Sequence, residues 1–332
     1  MKLAFLFLIS FLPNFVKLAL YRVLFSAEIG PHTTLGFGTV ICAKKLRIGH
    51  HTRIGHFTFI LAQNVEIGSY AKFGHLTVIR VHSFFAANRA IISSSAKIFG
   101  NTSSPESIFT MGMHSWVFPY CFIDVTRQVT LGKNVGVGGG SYIFTHGYWL
   151  PSTEGFPVAY KSVSIADDVW IPWDCFIMPG ASIGSKVIVG ARSLVSGVVP
   201  DNALVAGTPA KLIREKCYRD VSAEDKIAKI SQLISDFFAK NNCSFETADT
   251  GNKITFSVKN EPDFVVHKAG KECGQGFNIA LEPLDNAAYE HHLCYSLADY
   301  KASSYEKFPK IVKDWFEYIR CEGLRLYPID EI

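Results

Sequence analysis

The sequence predicts a mainly β protein, a parallel β-solenoid with a helical segment before it and an α+β module after it. Three observations point there. An aliphatic residue recurs every six positions, most clearly at Ile165, Ile171, Ile177, Ile183, Val189 and Val195. Weaker runs repeat on a longer period: Ile29, Ile48 and Ile67 lie 19 apart, three six-residue sides plus one corner residue. Glycine often follows the aliphatic, as at Gly30, Gly36, Gly49, Gly55, Gly68, Gly74, Gly132, Gly138, Gly184 and Gly190. A period of six fits neither a helix nor an ordinary alternating strand. It fits short strands wound round a triangular prism, each side sending one aliphatic side chain inward so that coils stack into a single core. Glycine suits a corner where a side chain would clash or φ is unusual. An antiparallel sandwich is the competing reading, but Asn-Gly and Asp-Gly hairpin signals are missing from these runs.

Along the chain, residues 1–27 come first. Leu3 to Leu12 is almost wholly apolar, Pro13-Asn14 interrupts, and Phe15 to Phe25 carries Lys17 and Arg22 among leucines and valine. The apolar run is short for a membrane-spanning helix. Cleavage of a leader after Ala27 would want a small residue where Phe25 stands. Two readings remain open together: a helix capping the end of the solenoid, and an amphipathic anchor on a membrane surface with basic side chains snorkelling beside it.

The solenoid spans 28–214. Residues 28–82 give three regular coils, whereas 83–108 lose the register and read as a loop or a distorted coil. The register returns at Met111, Val117 and Ile123, then at Leu131, Val137 and Ile143. A polar and aromatic insertion, residues 147–162, follows His146, and the last regular block runs from Ile165 to about Val205. In residues 215–332 the pattern vanishes. Ser222 caps a helix to about residue 240, Phe245 to Val266 reads as two or three strands, and Tyr305 to Ile319 has the spacing of a second amphipathic helix. No motif in this module identifies a chemistry.

Composition narrows the partners. The net charge is +4 over 332 residues, with no basic block of the kind that marks nucleic-acid binding. Eight cysteines are scattered without a CxxC pair, which favours a reducing, cytoplasmic compartment over a disulfide framework.

The ordered series Thr145-His146, Val169-Trp170-Ile171, Pro179-Gly180-Ala181-Ser182-Ile183-Gly184, Val189-Gly190-Ala191-Arg192-Ser193 and Val205-Ala206-Gly207-Thr208-Pro209-Ala210-Lys211 resembles the hexapeptide-repeat acyltransferases. The likeness is to galactoside, maltose and nodulation-factor O-acetyltransferases and to exopolysaccharide acetyltransferases. It is strongest over 131–214, weaker over 28–125 and absent from 1–27 and 215–332. The resemblance implies a left-handed parallel β-helix, a homotrimer and acetyl-CoA as acyl donor, with no metal. It also implies transfer to a hydroxyl of a saccharide or lipid-linked saccharide, at the cytoplasmic face of the membrane if the N-terminal segment is an anchor.

By the same resemblance His146 is the general base. Such a residue supplies about 10²–10⁴ in rate, and an activated thioester needs no covalent enzyme intermediate. Asp124 stands where relatives bind the acceptor, although Met113-His114-Ser115-Trp116 replaces their Asn-rich stretch. Trp149 and Glu154 in the insertion would suit a pyranose ring. The coenzyme track is implied for Trp170, Trp173, Gly190, Ala191, Arg192 and Ser196, with Lys211 and Arg214 as phosphate-binding cations. This chain has Gly197 where many relatives carry Lys, and Pro172 where they carry Gly. Three rivals stay open: an N-acyltransferase on an amino sugar, a γ-carbonic-anhydrase-like zinc enzyme using His51, His56 and His75, and a scaffold without catalysis.

Overall fold

The computed structural model describes residues 2–268 and most of 273–328. The chain divides into two units, Met1–Arg219 and Asp220–Ile332. In the first, three long sheets of nine, ten and eight strands form the sides of a prism. Each coil passes through faces one, two and three in turn, beginning at Glu28–Ile29, Thr34–Leu35 and Val40–Cys42. Neighbouring coils pair parallel and in exact aliphatic register: Ile29 meets Ile48, Ile48 meets Ile67, and Leu131 meets Ile165. The hexad residues are the buried core, with Ile60, Ile79, Ile98, Ile123, Ile143 and Ile177 stacked inside face three.

Glycine at the corners answers to the next coil. A Cβ on Gly36 would lie 2.5 Å from the His56 backbone nitrogen, a contact no side chain survives.

Of residues 83–108, the part read as a loop or distorted coil, 83–100 form a regular coil. Ser83–Ala86, Ile91–Ile92 and Lys97–Gly100 occupy the three faces in register. Ala86, Ile92 and Ile98 keep the period of six and are buried. The irregularity is confined to residues 101–107, a corner insertion before Ile108–Met111. A small Ala in the first core position and the lack of following glycines mask this coil in the sequence.

Two helices, α1 (Lys2–Ile9) and α2 (Asn14–Phe25), cover the first coil. An open coil end exposes unpaired backbone groups on every side, and α2 satisfies all three. Arg22 donates to the Ile29 carbonyl on face one. On face two, Lys17 Nζ donates to the carbonyls of Leu35 and Gly36, and Asn14 accepts from the Leu35 amide. On face three the Ile41 amide donates to the Tyr21 hydroxyl. Burial lowers the Lys17 ammonium from its ordinary value. Both basic side chains of α2 are thus turned onto the solenoid backbone.

The second unit has α3 (Ala223–Lys240), α4 (Lys310–Ile319) and a mixed seven-stranded sheet. Ser222 caps α3 by accepting from the Asp225 amide at 3.1 Å. The anticipated strands are three, Phe245–Asp249, Lys253–Val258 and Phe264–His267. The anticipated start of the last helix, at Tyr305, lies outside the described residues. The apolar stripes of both helices pack with Phe256, Phe264, Phe277 and Tyr295 into one aromatic core.

Candidate active site

His146 follows the face-three strand Tyr142–Ile143 and sits at the corner between faces three and one. Asp124 comes from the preceding coil, in the face-three strand Phe122–Val125. Stacking of the coils brings residues 22 apart in sequence together: His146 Nδ1 lies 2.7 Å from Asp124 Oδ2. A carboxylate only accepts, so Nδ1 carries the proton and the Nε2 lone pair is left outward. Among the described residues, Nε2 has no hydrogen-bond partner, and the side chain is 35% exposed.

Asp124 is 5% exposed, and its oxygens are fully used. Oδ1 accepts from the Thr126 amide and hydroxyl; Oδ2 accepts from the Thr145 amide and hydroxyl as well as His146. Burial alone would raise this carboxyl. The hydrogen bonds from Thr126, Thr145 and His146 outweigh burial and hold it below the usual range. These bonds set Asp124 directly beneath His146, with both of its oxygens engaged within the protein. Thr145 extends the support: its hydroxyl also accepts from the Arg127 amide at 3.0 Å.

The insertion after His146 folds as a short hairpin, His146–Gly147 pairing antiparallel with Ala159–Tyr160. Pairing sets the Tyr160 ring parallel to the imidazole, centroids 6.0 Å apart, with Tyr148 at 5.6 Å. Arg127 backs Tyr160 at 4.9 Å and pairs with Glu106 at 2.7 Å. Sequence reading found the insertion but missed Tyr160, Arg127 and Glu106, because their meeting depends on the hairpin register and the corner insertion at 101–107. Trp149, 91% exposed, and Glu154, in the turn Ser152–Glu154, lie on the outer part of the hairpin. Neither hydrogen-bonds to His146.

The residues expected along the coenzyme track fall elsewhere on the prism. Trp170 faces outward on face two, and Trp173 stands at the corner of faces two and three over Gly139. Gly190, Ala191 and Arg192 occupy that same corner one coil on, beside an open groove of about 510 Å³ lined by Asp174, Phe176, Arg192, Leu194 and Thr208. Arg192 approaches Asp174 at 3.7 Å in the open. Gly190 is accounted for by packing, since a Cβ there would meet Ala206 Cβ at 2.6 Å. Lys211 and Arg214 are exposed on the antiparallel strand Ala210–Arg214 that closes face two. Ser196 alone shares the corner of His146, two coils further on.

Two other chemistries gain nothing here. His56 Nδ1 accepts from the Phe37 amide and His75 Nδ1 from the His56 amide, both at 2.9 Å, so neither nitrogen is free for a metal. Among the described residues no three His, Cys, Asp or Glu side chains gather as a metal site. Burial pushes the Cys121 thiol up to about 12 and raises that of Cys175, which keeps both protonated and poor nucleophiles.

No family model matches the chain. A protein named as a colanic acid biosynthesis acetyltransferase in Escherichia coli K12 is 31% identical over 107 residues, 32% of this chain and 58% of that protein. The chain therefore spans a little over half the length of this relative. Galactoside O-acetyltransferase of the same organism is 27% identical over 138 residues, covering 35% and 68% of the two chains. Among solved structures, galactoside acetyltransferase in complex with coenzyme A is 22% identical, covers 50% of this chain and 68% of that one, and superposes with a TM-score of 0.33. The hexad repeat and the three-faced prism are those of a parallel β-solenoid, and over these stretches the chain is similar to saccharide O-acetyltransferases.

Proposed function

We propose that the chain transfers an acyl group, acetyl from acetyl-CoA, to a hydroxyl of a saccharide or lipid-linked saccharide, with His146 as general base. The observation that carries this reading is the His146–Asp124 pair, whose Nε2 is unbonded at a half-open corner. Nε2 takes the proton of the acceptor hydroxyl as its oxygen bonds to the acyl carbon. The donor's carbon–sulfur bond breaks, and the departing thiolate recovers the proton from the imidazolium. Asp124 holds the ring and stabilises that imidazolium without exchanging a proton itself. Tyr148 and Tyr160 supply aromatic faces for the acceptor ring, and Trp149 and Glu154 reach it from the hairpin's outer part.

The donor would lie along Trp170, Trp173, Ala191, Arg192 and Ser196, with its phosphates on Lys211 and Arg214. In a triangular prism the corner of faces three and one lies opposite face two. One chain therefore turns His146 away from Trp170, Lys211 and Arg214, and a single ligand can touch both groups only between two chains. That supports a homotrimer with three shared sites. The reading places the chain in the cytoplasm, where such donors are made.

Calorimetry tests the donor half of this reading. Acetyl-CoA should bind the wild type and His146→Ala alike and bind Lys211→Ala/Arg214→Ala about tenfold or more weakly, as expected for lost charge-assisted bonds. No binding of any acyl-CoA would overturn it.

A further inference from the structure

Opposite the closing strand, the capped end of the solenoid has a surface that catalysis does not use. In α1, Leu6 and Ile9 pack inward, while Phe5, Phe7 and Leu8 are exposed. The link to α2 adds Phe11 and Leu12, and the outer side of α2 adds Phe15, Val23 and Leu24, exposed by 75%, 77% and 50%. A helix apolar on every side belongs against something apolar. The apolar surface continues down one corner: Phe7, Phe11, Phe37 and Phe57 follow one another at ring separations of 5.1, 5.0 and 5.8 Å. Phe57 and Leu76, both exposed, sit there in left-handed backbone (φ 51° and 57°), a conformation uncommon for bulky residues.

Charge is distributed with the same polarity. Residues 1–100 contain 11 Lys and Arg against two acids, Glu28 and Glu66, a net +9. The rest of the same unit, residues 101–219, contains nine against eight, a net +1. Lys17 and Arg22 are spent on the cap, but Lys44, Lys45, Arg53 and Lys72 stand exposed on the first coils. Between α2 and face two, an open groove of about 680 Å³ joins Phe11, Leu12 and Phe37 to Arg53 and His56.

We infer that this end docks on an anionic lipid surface, its Phe and Leu side chains in the acyl boundary and its Lys and Arg at the headgroups. Aromatic and aliphatic insertion beside basic residues is the interfacial binding pattern. Charge decides against a second copy as the occupant, because end-to-end pairing would bring the exposed Lys44, Lys45, Arg53 and Lys72 of one chain towards those of another. Each basic side chain near an anionic leaflet contributes roughly fivefold to binding. Among the described residues no helix is long and apolar enough to cross a membrane, so docking is peripheral. It needs neither acyl donor nor acceptor, and its test is independent of the catalytic reading.

The test is sedimentation of the full chain with phosphatidylcholine vesicles, with and without phosphatidylglycerol. The wild type should pellet with the anionic vesicles and be released by salt. Leu8→Ser/Phe15→Ser/Val23→Ser changes only exposed side chains and should bind about a hundredfold more weakly with an unchanged circular dichroism spectrum. Arg53→Glu/Lys72→Glu should lose the preference for anionic vesicles. A wild type that stays in the supernatant, or a triple variant that binds undiminished, would overturn the inference. So would a triple variant whose mass by light scattering drops by half, since the face would then belong to a second copy.

Discussion

His146 and the pair His56 and His75 stand at corners of the same prism, yet the coils put them to opposite uses. The rings of His56 and His75 stack at 4.9 Å, and each Nδ1 accepts a backbone N–H from the neighbouring coil. A backbone amide can only donate, so those rings carry their proton on Nε2 and offer no lone pair to solvent. At His146 the partner of Nδ1 is a carboxylate, which can only accept. The proton moves to Nδ1, and the Nε2 lone pair faces outward. One residue type in one kind of corner is thus structural or base-competent according to what the adjacent coil presents to Nδ1.

The largest effect should come from removing the base. His146→Ala should lose about 10²–10⁴ in acetyl transfer, followed as thiol release with a saccharide panel. His56→Ala and His75→Ala should transfer at the wild-type rate. Equal losses in all three would erase the distinction. Next comes the support. Asp124→Asn keeps the shape but removes the obligate acceptor, and turnover should fall between about 10- and 10⁴-fold. The same variant has a signature in stability. Because the folded carboxyl titrates below its ordinary value, it stabilises the wild type above about pH 4, the ordinary unfolded Asp value. That contribution is lost as pH falls through the lower folded value. Thermal melts should show the gap between wild type and Asp124→Asn closing in that acid window and in no other.

A smaller effect is expected at the stacked ring. Tyr160→Ala removes the face against which His146 is held and the seat of Arg127, and turnover should drop by about three- to tenfold with acetyl-CoA affinity unchanged. Smallest of all, His56→Ala should cost about 0.5–1 kcal/mol of stability through the unpaired Phe37 amide, read by denaturant melts. A loss of activity there would break the comparison from the other side.

Much of this molecule is legible in its sequence wherever a pattern is periodic. Ile165 to Val195 prescribes stacked coils outright, because each inward residue meets its own kind one coil on. The coil through Ala86, Ile92 and Ile98 obeys the same period but hides behind a small core residue and the insertion at 101–107. His146 is legible only through its likeness to known enzymes. The role of Asp124 is not legible at all, since it depends on five hydrogen bonds that converge only once two coils are stacked. Lys17 and Arg22 mislead for a similar reason. On a helical wheel they look solvent-bound, and only the raw edge of the first coil explains why they turn inward.

The direct measurement is nitrogen NMR of the protein labelled with ¹⁵N-histidine at mildly alkaline pH, with His146→Gln, His56→Gln and His75→Gln to assign the signals. His146 should be protonated at Nδ1 and bare at Nε2, while His56 and His75 should show the reverse. A proton on Nε2 of His146 would contradict the account, because the ring would then have no lone pair with which to take the acceptor's proton.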